Sequence, residues 1–122
     1  MQYKRAYPAV AAIGVSHLLV AGGDTGGGSS CMDSVELFDI ATQTWSEVAP
    51  MSAARTAASA VACNEAIYVL GGYNATVTQQ RFDLVESYDI KSNQWHEVNC
   101  FVLCSRSWAC VHGVSLAGGV DE

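Results

Sequence analysis

Short apolar runs separated by polar turn residues make up most of the chain. In the second half, four such runs cover residues 57–63, 66–71, 84–90 and 95–100. Each is rich in β-branched, aromatic or small apolar residues and is bounded by clusters of Gly, Asn, Asp and Ser, which is typical of β-strands joined by turns. No amphipathic segment of helical length is present. Four consecutive strands with short connections predict an antiparallel meander.

This strand pattern repeats after about 50 residues. Residues 35–48 return as residues 85–98, and seven of the fourteen positions are identical. An arginine precedes the first strand of each unit, at Arg5, Arg55 and Arg106. A four-stranded unit that recurs at this period predicts a β-propeller. We expect blade 1 at residues 1–50, blade 2 at 51–101 and a truncated, degenerate start of blade 3 at 102–122.

Each unit also carries an ordered set of glycine and aromatic residues. An apolar run ends in a double glycine, and a tyrosine or phenylalanine and then a tryptophan follow. The set is Gly22, Gly23, Phe38 and Trp45 in the first unit, Gly71, Gly72, Tyr88 and Trp95 in the second, and Gly118 and Gly119 in the third. This order resembles the kelch repeat. The resemblance implies an all-β fold, a partial kelch β-propeller with two four-stranded antiparallel blades plus an incomplete third.

The motif residues have structural explanations. A double glycine after a strand permits positive φ and a close approach of two backbones. Aromatic residues seven positions apart, such as Tyr88 and Trp95, can meet across a hairpin. Asp39 and Asp89 stand directly before polar turn sequences, where a carboxylate can accept hydrogen bonds from the turn backbone. We therefore expect these aspartates to be turn residues and not catalytic acids.

The third unit is shorter than the other two. Arg106 and Gly118 are 12 residues apart, whereas the equivalent distances in the first two units are 17 and 16 residues. Propellers typically close with four to eight blades, so two and a half units cannot close alone. The simplest expectation is a fragment of a longer protein, or a product with an altered end, whose partners include the remaining propeller blades. A ring of several copies is an alternative that nothing in the sequence favours.

The amino-acid composition argues against nucleic acids and membranes as partners. Twelve acidic against six basic residues give a net charge of −6, which argues against binding to the phosphate backbone of nucleic acids. Neither a membrane-spanning run nor a signal peptide is recognisable. Five cysteines at irregular spacings do not suggest a paired extracellular framework. We expect reduced cysteines and a cytoplasmic protein without a membrane partner.

Few residues in the sequence suggest catalysis or the binding of a metal or phosphate. The spacing of the possible soft ligands Cys100, Cys104, Cys110 and His112 matches no familiar zinc site. His17 and His96 have no acid and nucleophile at corresponding places, so no hydrolytic triad is indicated. The glycine-rich residues 24–30 lack the lysine of a phosphate-binding loop and are expected to form a flexible connection. The sequence predicts no catalytic site, metal or cofactor.

The loops are the candidate binding surface, because connections on a rigid frame carry most binding residues. By resemblance, Arg5, Arg55 and Arg106 face that surface and hold acidic groups of a bound peptide; the equal alternative is that they join neighbouring blades. If these arginines bind a partner, the double substitution Arg55→Ala with Arg106→Ala should weaken the complex with that partner without lowering thermal stability. The loop at 73–82 is a second candidate, with Tyr73, Asn74 and Phe82 as contacts.

The function implied by the resemblance is protein–protein interaction. The leading hypothesis is a module similar to the substrate-recognition part of adaptors for cullin-based ubiquitin ligases. An actin-binding cytoskeletal kelch protein is a second hypothesis, and a kelch-fold, metal-dependent oxidase is a third of a different class.

Overall fold

Two four-stranded antiparallel sheets and one two-stranded ribbon make up the fold. The computed structural model describes residues 1–26, 30–74, 80–81 and 85–98. Its strands are β1 (Ala9–Ile13), β2 (His17–Ala21), β3 (Val35–Asp39), β4 (Thr44–Val48), β5 (Ser59–Cys63), β6 (Ala66–Leu70), β7 (Tyr73–Asn74), β8 (Gln80–Arg81), β9 (Val85–Asp89) and β10 (Gln94–Val98). None of the described segments is a helix that is long and apolar enough to cross a lipid bilayer.

Each four-stranded sheet is an antiparallel meander. The order is β1-β2-β3-β4 in the first sheet and β5-β6-β9-β10 in the second, while β7 and β8 form a ribbon within the β6–β9 connection. We call the two sheets blade 1 and blade 2. They confirm the all-β, four-stranded architecture expected from the sequence. Residues 99–122, and with them the expected third unit, lie outside the described residues.

The first strand of blade 2, β5, begins later than the sequence pattern suggests. The apolar run starts at residue 57, but β5 starts at Ser59. Ala57 has φ 58°, and Tyr7, 50 residues earlier, has φ 54°. This left-handed conformation cannot continue a strand. The backbone turn before the first strand of each blade, β1 or β5, is therefore part of the repeat, although no glycine occurs at this turn.

The β3–β4 and β9–β10 turns have the chemistry that the sequence predicts. Asp39 Oδ1 accepts hydrogen bonds from the backbone N–H groups of Ala41 at 2.9 Å and Thr42 at 3.3 Å. Asp89 Oδ1 accepts one from Lys91 N–H at 3.0 Å. Hydrogen bonds to Ser92 and Lys91 lower the pKa of Asp89. Both aspartates therefore act as turn residues.

The main core lies between the two blades, where β1 packs beside β5. Small residues make this approach possible: Ala9 and Ala11 of β1 are buried in this core cluster, and Ala60 of β5 packs against the cluster. The larger buried members of this cluster are Leu19, Val35, Met51, Ile67, Val69 and Tyr88. Full burial of one such aliphatic side chain contributes about 1.5–3 kcal/mol. The two blades therefore form one packed unit.

The meander separates the connections into two groups. The "loop end" consists of residues 1–8, the β2–β3 connection, the interblade segment 49–58 and the β6–β9 connection. The "hairpin end" consists of the β1–β2, β3–β4, β5–β6 and β9–β10 turns. In the part of the chain that the structure describes, the longer connections, β2–β3, β6–β9 and the interblade segment, all lie at the loop end.

Candidate functional site

A buried ion pair anchors the loop end of blade 1. Arg5 Nη2 lies 2.9 Å from Glu36 Oε2, and the two side chains are 0% and 1% exposed. Arg5 Nη1 also donates to the backbone oxygens of Gly22 at 2.8 Å and Ser34 at 2.9 Å. Glu36 Oε1 accepts a hydrogen bond from Gln2 N–H at 2.6 Å. The pair therefore joins the segment before β1 to both ends of the β2–β3 connection.

Blade 2 repeats this arrangement. Arg55 Nη2 pairs with Glu86 Oε2, and these side chains are again 0% and 1% exposed. Arg55 Nη1 donates to Gly71 O at 3.0 Å, and Glu86 Oε1 accepts from Ser52 N–H at 3.0 Å. The backbone of Arg55 contacts blade 1 as well, because Gly23 N–H donates to its carbonyl oxygen at 2.9 Å. Arg55 thus joins the blades through its main chain and organises blade 2 through its side chain.

Burial of the Arg5 and Arg55 side chains discriminates between the two roles expected for them, which are binding acidic groups of a partner and joining neighbouring blades. The guanidinium groups of Arg5 and Arg55 lie inside the protein, where a partner's carboxylate cannot contact them unless it displaces a glutamate. Their geometry favours the structural alternative over the partner-facing one. Arg106 lies outside the described residues, so its role in binding stays a prediction.

Glu36 and Glu86 belong to this site but are not among the site residues predicted from the sequence. A signal for them was present, because both glutamates and both arginines recur with the same spacing of 50 residues. Each glutamate also stands within a strand next to a buried valine. A carboxylate in such a position requires a buried partner.

The pKa of Glu36 provides a test of the buried pair. Burial on its own would raise this pKa, but hydrogen bonds from Gln2 and Arg5, together with the charge of Arg5, lower it below the ordinary 4.5. A lowered folded-state pKa contributes stability above pH 4.5, and that stability is lost as the pH falls through the folded-state value. In urea titrations, we expect the stability advantage of the wild type over Glu36→Gln to shrink below pH 4.5. An advantage that stays constant between pH 7 and pH 3 would contradict this account.

The glycine pairs adopt the conformation predicted for them. The φ angles are 67° for Gly22, 97° for Gly23, 71° for Gly71 and 84° for Gly72. A Cβ atom on Gly23 would lie 2.8 Å from the carbonyl oxygen of Ala6. The pairs are therefore required both for positive φ and for close backbone contact. Gly118 and Gly119 lie outside the described residues.

The two aromatic pairs meet across their hairpins, as the seven-residue spacing predicts. Phe38 and Trp45 have ring centroids 4.9 Å apart, and Tyr88 and Trp95 have centroids 5.0 Å apart. The strand register places the members of each pair directly opposite one another. Both pairs are thus structural residues of the blades.

The aromatic pair of blade 2 also holds the interblade segment. Trp95 Nε1 donates to Ala49 O at 2.7 Å, and Asn93 Oδ1 accepts from Ala49 N–H at 3.0 Å. The hydroxyl of Tyr88 donates to the same Asn93 oxygen at 2.8 Å. Burial, with a smaller effect of the Asp89 charge, raises the pKa of Tyr88. These bonds fix the backbone where blade 1 leads into blade 2.

Asp24 corrects one expectation. The sequence predicts a flexible connection at residues 24–30, but Asp24 is only 4% exposed. Its Oδ2 accepts a hydrogen bond from Thr56 Oγ1 at 3.1 Å, and its Oδ1 accepts one from Gly26 N–H at 2.7 Å. The beginning of this connection is therefore attached to blade 2.

Aromatic and amide side chains lie at the loop end. Tyr7 is 73% exposed and Tyr3 is 37% exposed. Tyr73 and Asn74 are half-buried in β7, and the backbone of Tyr73 pairs with that of Thr56. Phe82 lies outside the described residues. The structure thus brings Tyr73 and Asn74 to the same end as Tyr7, which the sequence analysis did not single out.

The possible metal ligands Cys100, Cys104, Cys110 and His112 also lie outside the described residues. Within the residues that the structure describes, no group of three or more His, Cys, Asp or Glu side chains could hold a metal ion. Cys31 and Cys63 are free, half-buried thiols.

Comparison with known proteins agrees with this geometry. The Kelch motif model matches residues 4–52 and 54–101. Kelch-like protein 4 from Homo sapiens is 38% identical over 88 residues, which are 72% of this chain and 12% of that protein. Kelch-like protein 25 from Xenopus tropicalis is 34% identical over 92 residues, which are 75% of this chain and 14% of that protein.

The chain thus spans only about one-eighth to one-seventh of the length of these curated relatives. Two adjacent motif matches coincide with the two four-stranded sheets. The chain belongs to the kelch-repeat family.

Proposed function

We propose that the chain is a protein-interaction module and that its loop end is the docking surface. The observation that carries the proposal is the exposure of Tyr7, at 73%, on a backbone that is firmly held. Its carbonyl oxygen accepts a hydrogen bond from Ala57 N–H at 3.0 Å. An exposed tyrosine on a fixed backbone offers a large apolar contact and a hydroxyl at a low entropic cost.

Neighbouring side chains support the same surface. Tyr3, Tyr73 and Asn74 lie at the loop end, while the Arg5 and Arg55 side chains are already neutralised by glutamates. Blades 1 and 2 would therefore contact a partner through aromatic and amide groups. An acidic peptide segment, the partner class implied by the resemblance, would depend on arginines other than Arg5 and Arg55, with Arg106 as the candidate.

The more specific proposal is that this module recognises substrates for a cullin-based ubiquitin ligase adaptor in the cytoplasm. Its support is the family membership and the resemblance to such adaptors. The remaining blades and the ligase-binding part would then belong to a longer parent chain. In cells, excess isolated module should compete with the adaptor and lower the ubiquitination of the captured partner.

Tyr7→Ala tests the docking surface. With the chain as bait in cell lysate, we expect the yield of specifically captured proteins to fall at least tenfold, because exposed tyrosines are frequent hot spots. Thermal stability should stay unchanged. Val10→Ala in β1, where Val10 is 51% exposed, is the matched control and should retain capture. Equal capture by wild type and Tyr7→Ala would refute the loop-end assignment.

A further inference from the structure

A groove opens between the two blades at the hairpin end, opposite the proposed docking surface. Its volume is about 350 Å³. Ile13 of blade 1 and Ile67 and Ile90 of blade 2 contribute its apolar lining, and Asn64 and Glu65 of the β5–β6 turn provide polar groups. This volume lies within the range of about 300–1,000 Å³ seen for binding pockets. The groove can therefore accept one bulky side chain.

Two exposed apolar side chains lie in the turns of blade 1 at the hairpin end, and Val15 stands between the groove-lining residues Gly14 and Ser16. Val15 is 93% exposed and Ile40 is 43% exposed. The two belong to adjacent turns, because Ile40 N–H donates to Ser16 O at 2.9 Å. Apolar side chains grouped next to a concave surface are typical of protein-binding sites.

The charges at this end are mostly negative. Among the described residues, Asp39, Glu65 and Asp89 lie at this end with one lysine, Lys91, and with His17, whose Nε2 lies 3.8 Å from Asp39 Oδ2. Lys91 Nζ lies 3.4 Å from Glu65 Oε1, but these side chains are 84% and 80% exposed. Such a pair contributes little and is readily exchanged. The hairpin end is thus complementary to a basic group.

We propose that this groove binds a bulky apolar side chain of a protein partner that is followed directly by a lysine or arginine. The apolar side chain enters between Ile13 and Ile67, and the basic group replaces Lys91 as the partner of Glu65. This proposal rests on the protein-interaction function and adds a second contact surface to it. The overall charge of −6 also favours a basic segment.

The test uses the ¹⁵N-labelled full chain and two small probes. Acetyl-leucyl-arginine amide at millimolar concentration should give saturable shifts of the Gly14, Cys63 and Ala66 amide signals. Acetyl-leucyl-glutamate amide should bind at least threefold more weakly, and Glu65→Gln should reduce that difference. Saturable shifts elsewhere only, or equal binding of both probes, would overturn the proposal.

Groove-filling variants provide the structural control. Ala62 is exposed and lines the groove, and Ala62→Phe should reduce the probe affinity at least fivefold. Ala12 is the equivalent exposed residue in blade 1 but does not line the groove, so Ala12→Phe should have no effect. Ala62→Leu serves if the larger substitution disturbs the fold. Unchanged affinity in a folded Ala62 variant would overturn the proposal. Tyr7→Ala at the other end should leave probe binding intact, which separates this result from a failure of the loop-end surface.

Discussion

Replacing Glu86 by alanine is expected to lower the free energy of unfolding by about 3–5 kcal/mol, since removing one member of a buried ion pair leaves the other charge uncompensated. Arg55 would keep its bond to Gly71 but would lose its counter-ion in a site where its side chain is 0% exposed. The backbone N–H of Ser52 would lose its acceptor as well. Urea unfolding followed by tryptophan fluorescence measures the loss.

Two further variants separate charge burial from other effects. The double substitution Arg55→Met with Glu86→Leu should recover most of the lost stability, because an apolar pair carries no desolvation cost. Glu97 lies directly opposite Glu86 in the β9–β10 register but is exposed. Glu97→Ala should therefore change stability by less than about 0.5 kcal/mol. If Glu86→Ala and Glu97→Ala have similar effects, the pair does not stabilise blade 2.

Burial of the Arg55 side chain also changes the result expected for Arg55→Ala. A partner-facing arginine could be removed without loss of stability, whereas the observed burial predicts a loss comparable to that of Glu86→Ala. Stability measurements on Arg55→Ala alone therefore discriminate between the two roles considered from the sequence.

The sequence predicts the two sheets well because their determinants are local. Turn residues such as Asp39 and Asp89 cap the β3–β4 and β9–β10 turns, and the seven-residue spacing of Tyr88 and Trp95 follows directly from hairpin geometry. The 50-residue repeat adds a check, because each feature occurs twice. Local pattern and global fold agree in this part of the chain.

Features that depend on contacts between distant residues could not be predicted in the same way. Arg5 and Glu36 are 31 positions apart, and Asp24 reaches Thr56 over 32 positions. The identity of these residues suggests exposure, since charged side chains are rarely buried without a partner. These partners meet only because the segment before β1 packs against β3, and because the interblade segment packs against the β2–β3 connection. The groove between Ile13 and Ile67 likewise exists only because two separate hairpins lie side by side.

Gly72→Ala is expected to lower stability by about 2–5 kcal/mol. Gly72 has φ 84°, and an added Cβ would lie 2.7 Å from Thr56 O and 3.0 Å from the Cβ of Ala58. The left-handed conformation costs an L-residue about 1–2 kcal/mol, and the overlap adds about 1–3 kcal/mol. Thr56 O cannot move away freely, because it accepts the hydrogen bond from Tyr73 N–H at 3.0 Å. Urea unfolding again measures the change.

Gly14→Ala separates the two components of this cost. Gly14 has φ 57°, but no atom lies within 4 Å of an added Cβ. Its substitution should therefore cost only the conformational part, about 1–2 kcal/mol. A larger loss for Gly72→Ala would show that Gly72 is needed for the contact between the end of β6 and the segment that leads into β5 of the same blade. Equal losses at the two positions would mean that positive φ alone explains the glycine, and that the backbone at Thr56 relaxes without measurable cost.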